Sequence, residues 1–137
     1  MEGRQFENFV GILYLLLGYE VEFTPASADQ GADLILVKDG IRTAVQVKRW
    51  RSSVGNSAVQ EAISAKVFYK CKRGIIVTNS TFTRSARTLA LKDTSLKLID
   101  GEKLRGLCNL YCGDVMPPFS VDEWARLGVI SGFARAA

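Results

Sequence analysis

Two runs of strand-forming residues, 32–38 and 41–49, are separated only by Asp39-Gly40. Asp-Gly between two such runs is a strong hairpin signal, because a two-residue turn of matching twist needs left-handed backbone at both central positions. The middle of the chain is therefore predicted to be an antiparallel pair, and the rest must pack around it. Residues 19–24 alternate Tyr, Val and Phe with Glu, Glu and Thr. That period of two marks a half-buried strand, which adds a third antiparallel member.

The pattern on either side is helical. Phe6, Phe9, Val10, Leu13, Leu16 and Leu17 recur at helix spacing, so residues 3–17 read as an amphipathic helix stopped by Gly18. Residues 25–31 and 51–55 read as loops, with Asp29 suited to an Asx turn. Val59, Ile63 and Val67 or Phe68 mark a helix over 57–69, and the run 74–78 marks a buried strand. A second crossover helix over 82–91, a strand over 96–99 and a helix over 101–110 follow. The order is α-β-β-β-α-β-α-β-α. It predicts an α/β fold with a mixed central sheet, antiparallel in its first three strands and flanked by helices on both faces. The 137 residues suit one domain, expected over 1–112. Pro117-Pro118 breaks the chain, and Ser120 with Glu123 forms a capping box before a short helix around Trp124. Residues 113–137 thus read as a C-terminal extension of unassigned role.

Composition removes several chemistries. There is no histidine, which excludes Ser/His/Asp triads, Cys/His proteases and His-based zinc sites. Three cysteines, Cys71, Cys108 and Cys112, do not make a disulfide framework. Cys108 and Cys112 stand at i,i+4 without further ligands nearby, so they read as half-buried thiols rather than a zinc site. No apolar run reaches the length of a membrane span, and Met1 leads into Glu2-Gly3-Arg4 rather than a signal segment. A cytoplasmic protein is the expectation. Charge is uneven: between Gly40 and Lys92 there are eleven basic residues and one acid, Glu61. These are either solvated surface charges or a face for a polyanion; the phosphate backbone of a nucleic acid suits the second reading. That reading expects the basic stretch to form one continuous face.

Three polar residues interrupt strands that should be apolar. Asp33 opens the second strand, and Gln46 and Lys48 share one face of the third, with Val45 and Val47 on the other. The hairpin brings Asp33 alongside them, so all three are expected to converge in one exposed cleft at an edge of the sheet. Asp33 and Gln46 offer hard oxygen donors suited to Mg²⁺, and Lys48 can hold a water. The plainer alternative is an Asp33–Lys48 pair across the hairpin.

At these residues the chain resembles the Mrr-like branch of the PD-(D/E)xK nuclease superfamily, the restriction-endonuclease-like fold. Asp29-Gln30-Gly31-Ala32-Asp33 resembles the acidic, glycine-containing lead into that family's metal-binding Asp, and Gln46-Val47-Lys48-Arg49 its Gln-x-Lys-Arg motif. Phe6-Glu7, Gly18-Tyr19, Val54-Gly55, Val59-Gln60-Glu61, Ile75-Ile76-Val77-Thr78-Asn79, Phe82-Thr83, Ala86 and Leu98-Ile99-Asp100-Gly101 follow in matching order. The resemblance implies a metal-dependent DNA endonuclease of the restriction type. Asp33 would be the principal metal ligand, with Gln46 replacing the second acid, the Val47 backbone carbonyl beside it, and Lys48 as catalytic lysine. Glu7 matches a helix-borne acid aimed at the same metal, although by its own pattern it could equally be a solvated helix-start acid. Arg49, Arg51, Gln60 and Arg84 are the candidate DNA contacts. Mg²⁺, or Mn²⁺ in its place, is the implied cofactor, DNA the substrate and a homodimer the implied assembly, with a partner protein as one source of sequence recognition. A Holliday-junction resolvase-like nuclease and a non-catalytic DNA-binding subunit are the alternatives.

Overall fold

The computed structural model describes residues 3–24 and 31–112. The elements are α1 (Gly3–Leu16), β1 (Glu20–Phe23), β2 (Leu34–Lys38), β3 (Ile41–Lys48), α2 (Asn56–Phe68), β4 (Arg73–Thr78), α3 (Arg84–Ala90), β5 (Leu96–Ile99) and α4 (Gly101–Cys112). This is the expected order. Five strands form one sheet in the spatial order β1-β2-β3-β4-β5. β1–β2 and β2–β3 are antiparallel, whereas β3–β4 and β4–β5 are parallel. The Asp39-Gly40 turn is left-handed at both positions, with φ of 54° and 77°. Asp29, the terminal capping box and the helix around Trp124 lie outside the described residues.

The sheet separates two apolar layers. On one face, Leu34, Leu36, Val45, Val77 and Ile99 pack with Phe6, Phe9, Val10 and Leu13 of α1 and with Leu104 and Cys108 of α4. On the other, Ile76 packs with Ala58, Val59 and Ala62 of α2 and Ala86 and Ala90 of α3, while Ile35 and Ala44 meet Ala65. Alanines dominate the α2 contact, which lets that helix lie close to the strands.

Local differences have local causes. α3 starts at Arg84 rather than Phe82, because the Thr83 hydroxyl caps it by accepting from the Ala86 N–H at 3.1 Å. Phe82 instead forms a parallel bridge with Val54. That bridge, with the Ser53–Thr81 hydroxyl pair at 2.9 Å, ties the loop after β3 to the loop after β4. Leu16, counted in the apolar stripe, is 42% exposed, because the stripe turns past the sheet as α1 ends. Among the described residues no helix is long and apolar enough to cross a membrane.

Candidate active site

β2 and β3 deliver the site. Leu34 pairs with Val45, so Asp33, one residue before β2, falls beside Gln46. There the ladder changes character. The Asp33 N–H donates to the Val45 carbonyl at 2.8 Å, and its Oδ2 accepts from the Val47 N–H at 2.7 Å. The carboxylate thus stands where the next backbone acceptor would be, fixing its position. Gln46 and Lys48 share the α2 face of β3, and with Asp33 and Val47 they line one cleft of about 620 Å³. The opening lies at the end of two interior strands and not at an edge strand. It is an end because β2 begins only at Leu34, opposite Val45, while β3 runs on to Lys48.

α2 closes the cleft with Ser57, Gln60, Glu61 and Ser64. Glu61 does the most. Its Oε2 lies 3.2 Å from Lys48 Nζ and also accepts from Gln46 Nε2. Lys48 therefore has an acid partner from the helix. Because a carboxylate only accepts, the Gln46 amide must point its NH₂ at Glu61 and its oxygen away. Gln46 is only 3% exposed, and its Oε1 is buried without a hydrogen-bond partner. Such an acceptor is costly unless something electropositive reaches it.

Gly31 holds the front wall. Its φ is +78°, and a Cβ there would come within 2.8 Å of the Glu61 carbonyl oxygen. Only glycine lets this backbone approach α2 so closely.

The donors fit a hard divalent cation: the Asp33 carboxylate, the orphaned Gln46 Oε1 and the Val47 carbonyl are all oxygen. Among the described residues, no group of three or more His, Cys, Asp or Glu is placed to hold a metal. The set is accordingly mixed, with an amide and a carbonyl beside one acid.

The remaining candidates distribute as follows. Gln60 is exposed and lines the cleft. Arg49 and Arg51 are exposed on the loop leaving β3, and Arg84 is exposed at the first turn of α3. The bridge between these loops places all three arginines at the cleft end of the sheet. Glu7 is half-buried on α1, the helix packed on the opposite sheet face, and is not among the residues lining the cleft. Glu61 is the residue that reading for a site overlooked. Its signal was present, as the single acid in an otherwise basic stretch.

The basic stretch does not form one face. Lys66 is bound to Asp93 at 2.6 Å, and Arg87 to Asp100 at 3.3 Å. Arg42 donates to the Tyr69 carbonyl. Arg73 pairs in register with Thr43, five residues before Lys48 along β3, or roughly 16 Å at 3.3 Å per residue. Parallel β3 and β4 are joined by a helix that must carry the chain back, so cations before β4 end up at the far end of the sheet.

The solved structures superpose on this chain over nearly its whole length. The DNA modification-dependent restriction endonuclease AspBHI does so with a TM-score of 0.72 at 23% identity, over 96% of this chain and 35% of that one. A protein of unknown function, AF1548, gives 0.71 at 17%, over 93% and 79%. The MspJI restriction endonuclease, solved with a 27-mer oligonucleotide, gives 0.61 at 19%, over 92% and 31%. These likenesses define the class as the restriction-endonuclease-like, PD-(D/E)xK fold. Sequence defines the family. The Mrr catalytic-domain model, described as a restriction endonuclease, matches residues 1–108. The type IV methyl-directed restriction enzyme EcoKMrr of Escherichia coli (strain K12) is 32% identical over 108 residues, covering 73% of this chain and 36% of that protein. The uncharacterized protein y4cE of Sinorhizobium fredii (strain NBRC 101917 / NGR234) is 33% identical over 135 residues, covering 90% and 34%. The chain belongs to the Mrr-type restriction endonuclease family. It spans about a third of the length of these curated relatives.

Proposed function

We propose that this chain is a metal-dependent DNA endonuclease domain, with Asp33, Gln46 and Lys48 as its catalytic residues. The observation that carries the reading is the orphaned, buried Oε1 of Gln46, a residue that lines the same cleft as Lys48 and the fixed Asp33 carboxylate. The Asp33 carboxylate and the Gln46 oxygen would hold Mg²⁺ or Mn²⁺, with the Val47 carbonyl as a third oxygen donor. Bound there, the cation would supply Lewis-acid polarisation of the scissile phosphate.

The chain's own groups do the rest. Glu61 holds the Lys48 ammonium at the cleft, where it orients the attacking water and donates to a phosphate oxygen as negative charge develops. The Glu61 carboxylate is the acceptor for the proton that water releases. Asp33 keeps its place through the Val47 N–H. Arg49, Arg51, Gln60 and Arg84 supply the phosphate contacts that register the backbone. The catalytic unit ends with α4, and residues 113–137 extend it. Two chains acting as a homodimer would cut both strands of a duplex. Two of the similar proteins are described as methyl-directed or modification-dependent. Modified DNA is therefore the first substrate to try, and the reader of the modification would be a segment or partner outside this catalytic unit.

The test is nicking of modified and unmodified supercoiled plasmid with Mg²⁺ or Mn²⁺. Asp33→Asn keeps an oxygen for the Val47 N–H but removes the charge, so it should abolish nicking and spare DNA binding. Lys48→Ala should do the same. Metal-dependent nicking that survives both substitutions would refute the assignment.

A further inference from the structure

A second cavity lies on the other sheet face, at the other end of the strands. Thr43, Arg73, Ile75 and Lys97 are neighbours in register, so their side chains share the α1 face where β3, β4 and β5 begin. Lys38 joins them from β2, two residues along from Leu36, which pairs with Thr43. With Tyr14 of α1, Leu17 and Tyr19 just after it, and Leu107 of α4, they enclose about 300 Å³. A shallower hollow sharing Tyr19, Lys38, Thr43 and Arg73 continues it outward.

This cavity is charged on one side only. Lys38, Arg73 and Lys97 line it, and no carboxylate does among the described residues. Asp39 reaches only the outer hollow, and nearby Asp93 is held by Lys66 and Ser95. Lys38 is tethered over the Tyr19 ring, 4.8 Å from its centroid, by donating to the Leu17 carbonyl. The Arg73 and Lys97 side chains have no hydrogen-bond or ion-pair partner among the described residues.

Two hydroxyls point the same way. Tyr14 and Thr43 are each 5% exposed, yet neither hydroxyl is hydrogen-bonded among the described residues. Neither oxygen is sealed in the interior, and both residues line the cavity. Burial, with the neighbouring Tyr19 phenol, pushes the Tyr14 hydroxyl well above the usual tyrosine range. It therefore stays a neutral donor. Three cations and two unused hydroxyl donors around one cavity are what a doubly charged oxyanion needs.

We propose that this cavity binds a small phosphate-bearing anion, at a site separate from the nuclease cleft. The separation is built into the sheet: Asp33, Gln46 and Lys48 occupy one face at one end, and Thr43, Arg73 and Lys97 the other face at the opposite end.

The full chain, held in a divalent-metal chelator, is titrated by amide NMR with orthophosphate and separately with a nucleoside 5′-monophosphate. Saturable shifts are expected at Thr43, Arg73 and Lys97 and not at Gln46 or Lys48. Exposed Arg73→Gln and Lys97→Gln should each weaken binding about tenfold without changing the thermal midpoint. Tighter binding of the nucleotide would assign the hollow to its nucleoside, and equal binding would assign the site to phosphate alone; either supports the proposal. Absence of saturation, shifts confined to the Lys48 cleft, or unchanged affinity in the double variant would overturn it.

Discussion

Gln46→Glu turns the site against itself unless a metal is present. The substitution replaces the Nε2 donor, now hydrogen-bonded to Glu61, with a second carboxylate oxygen at a position only 3% exposed. Two unit charges about 4 Å apart repel by about 4 kcal/mol at an effective dielectric near 20. Lys48, 3.2 Å from Glu61, offsets part of this. A net loss of about 2–3 kcal/mol at pH 8 remains, or a fall of roughly 6–12 °C in midpoint for a chain of this size. The sign with pH follows. The introduced carboxyl has a folded pKa raised above its unfolded value, so the penalty is absent below about pH 4 and grows as pH rises. Mg²⁺ at a hundredfold its dissociation constant should return about 2.7 kcal/mol, because it binds only the folded chain. Thermal melts at pH 5 and pH 8, with and without Mg²⁺, read all of this. A variant as stable as the parent at pH 8 without metal would refute the Gln46–Glu61 geometry. A destabilised variant that gains nothing from Mg²⁺ would refute the metal site.

Gly31→Ala should cost about 2 kcal/mol or more, from left-handed backbone and the 2.8 Å approach to Glu61, and should lower nicking by displacing α2; urea unfolding and plasmid nicking check the two effects. Lys66, then Ser95, hold the Asp93 carboxyl down to about 2 from its ordinary 3.8. That stabilisation is complete above about pH 4 and lost as pH falls towards 2. Asp93→Asn should remove about 1–2 kcal/mol at neutral pH, after allowance for solvent screening, and flatten the acid limb of a stability–pH curve. DNA affinity should fall with salt at a log–log slope near −3 to −4 if Lys48, Arg49, Arg51 and Arg84 meet phosphates. Arg51→Gln or Arg84→Gln should reduce that slope by about 1, and Arg73→Gln should leave it unchanged.

The element order was legible because the chain changes its hydrophobic period at each junction. Asp39-Gly40 settled the hairpin register, and the register settled which side chains share a face: Asp33 with Gln46 and Lys48, away from Val45 and Val47. Less legible was where the elements end. Thr83 reads equally well as a helix residue or a cap until the Ala86 N–H is seen to reach it. Phe82 reads as helical until its bridge to Val54 is seen. Charge misled in another way. A run of bases in sequence is a face only if the chain does not turn back, and between Lys48 and Arg73 it crosses the sheet once through α2. The same count of cations therefore describes two places, one beside Lys48 and one beside Thr43.

Glu61 shows why a strand motif is an incomplete statement of a site. Read along β3, Gln46 is a loss, an amide where the (D/E)xK motif that the chain resembles has an acid. Read across to α2, the carboxylate has not left the cleft. It approaches from the helix, close enough to fix both the Lys48 ammonium and the orientation of the Gln46 amide. The consequence differs from that of a strand acid. A carboxylate at position 46 would ligate directly; in the proposed site ligation would fall to the neutral Gln46 oxygen, while the Glu61 charge is paired with Lys48. Metal affinity should then depend on Glu61 even though another residue supplies the oxygen. Glu61→Gln frees the Gln46 amide to flip and releases Lys48, so it should weaken both Mg²⁺ binding and nicking. Glu61→Asp, one methylene shorter, should retain part of each. If Glu61→Gln lowers nicking but leaves the Mg²⁺-induced rise in melting temperature intact, Glu61 acts through Lys48 or as the proton acceptor and not through Gln46, and the orientation argument for Gln46 is wrong.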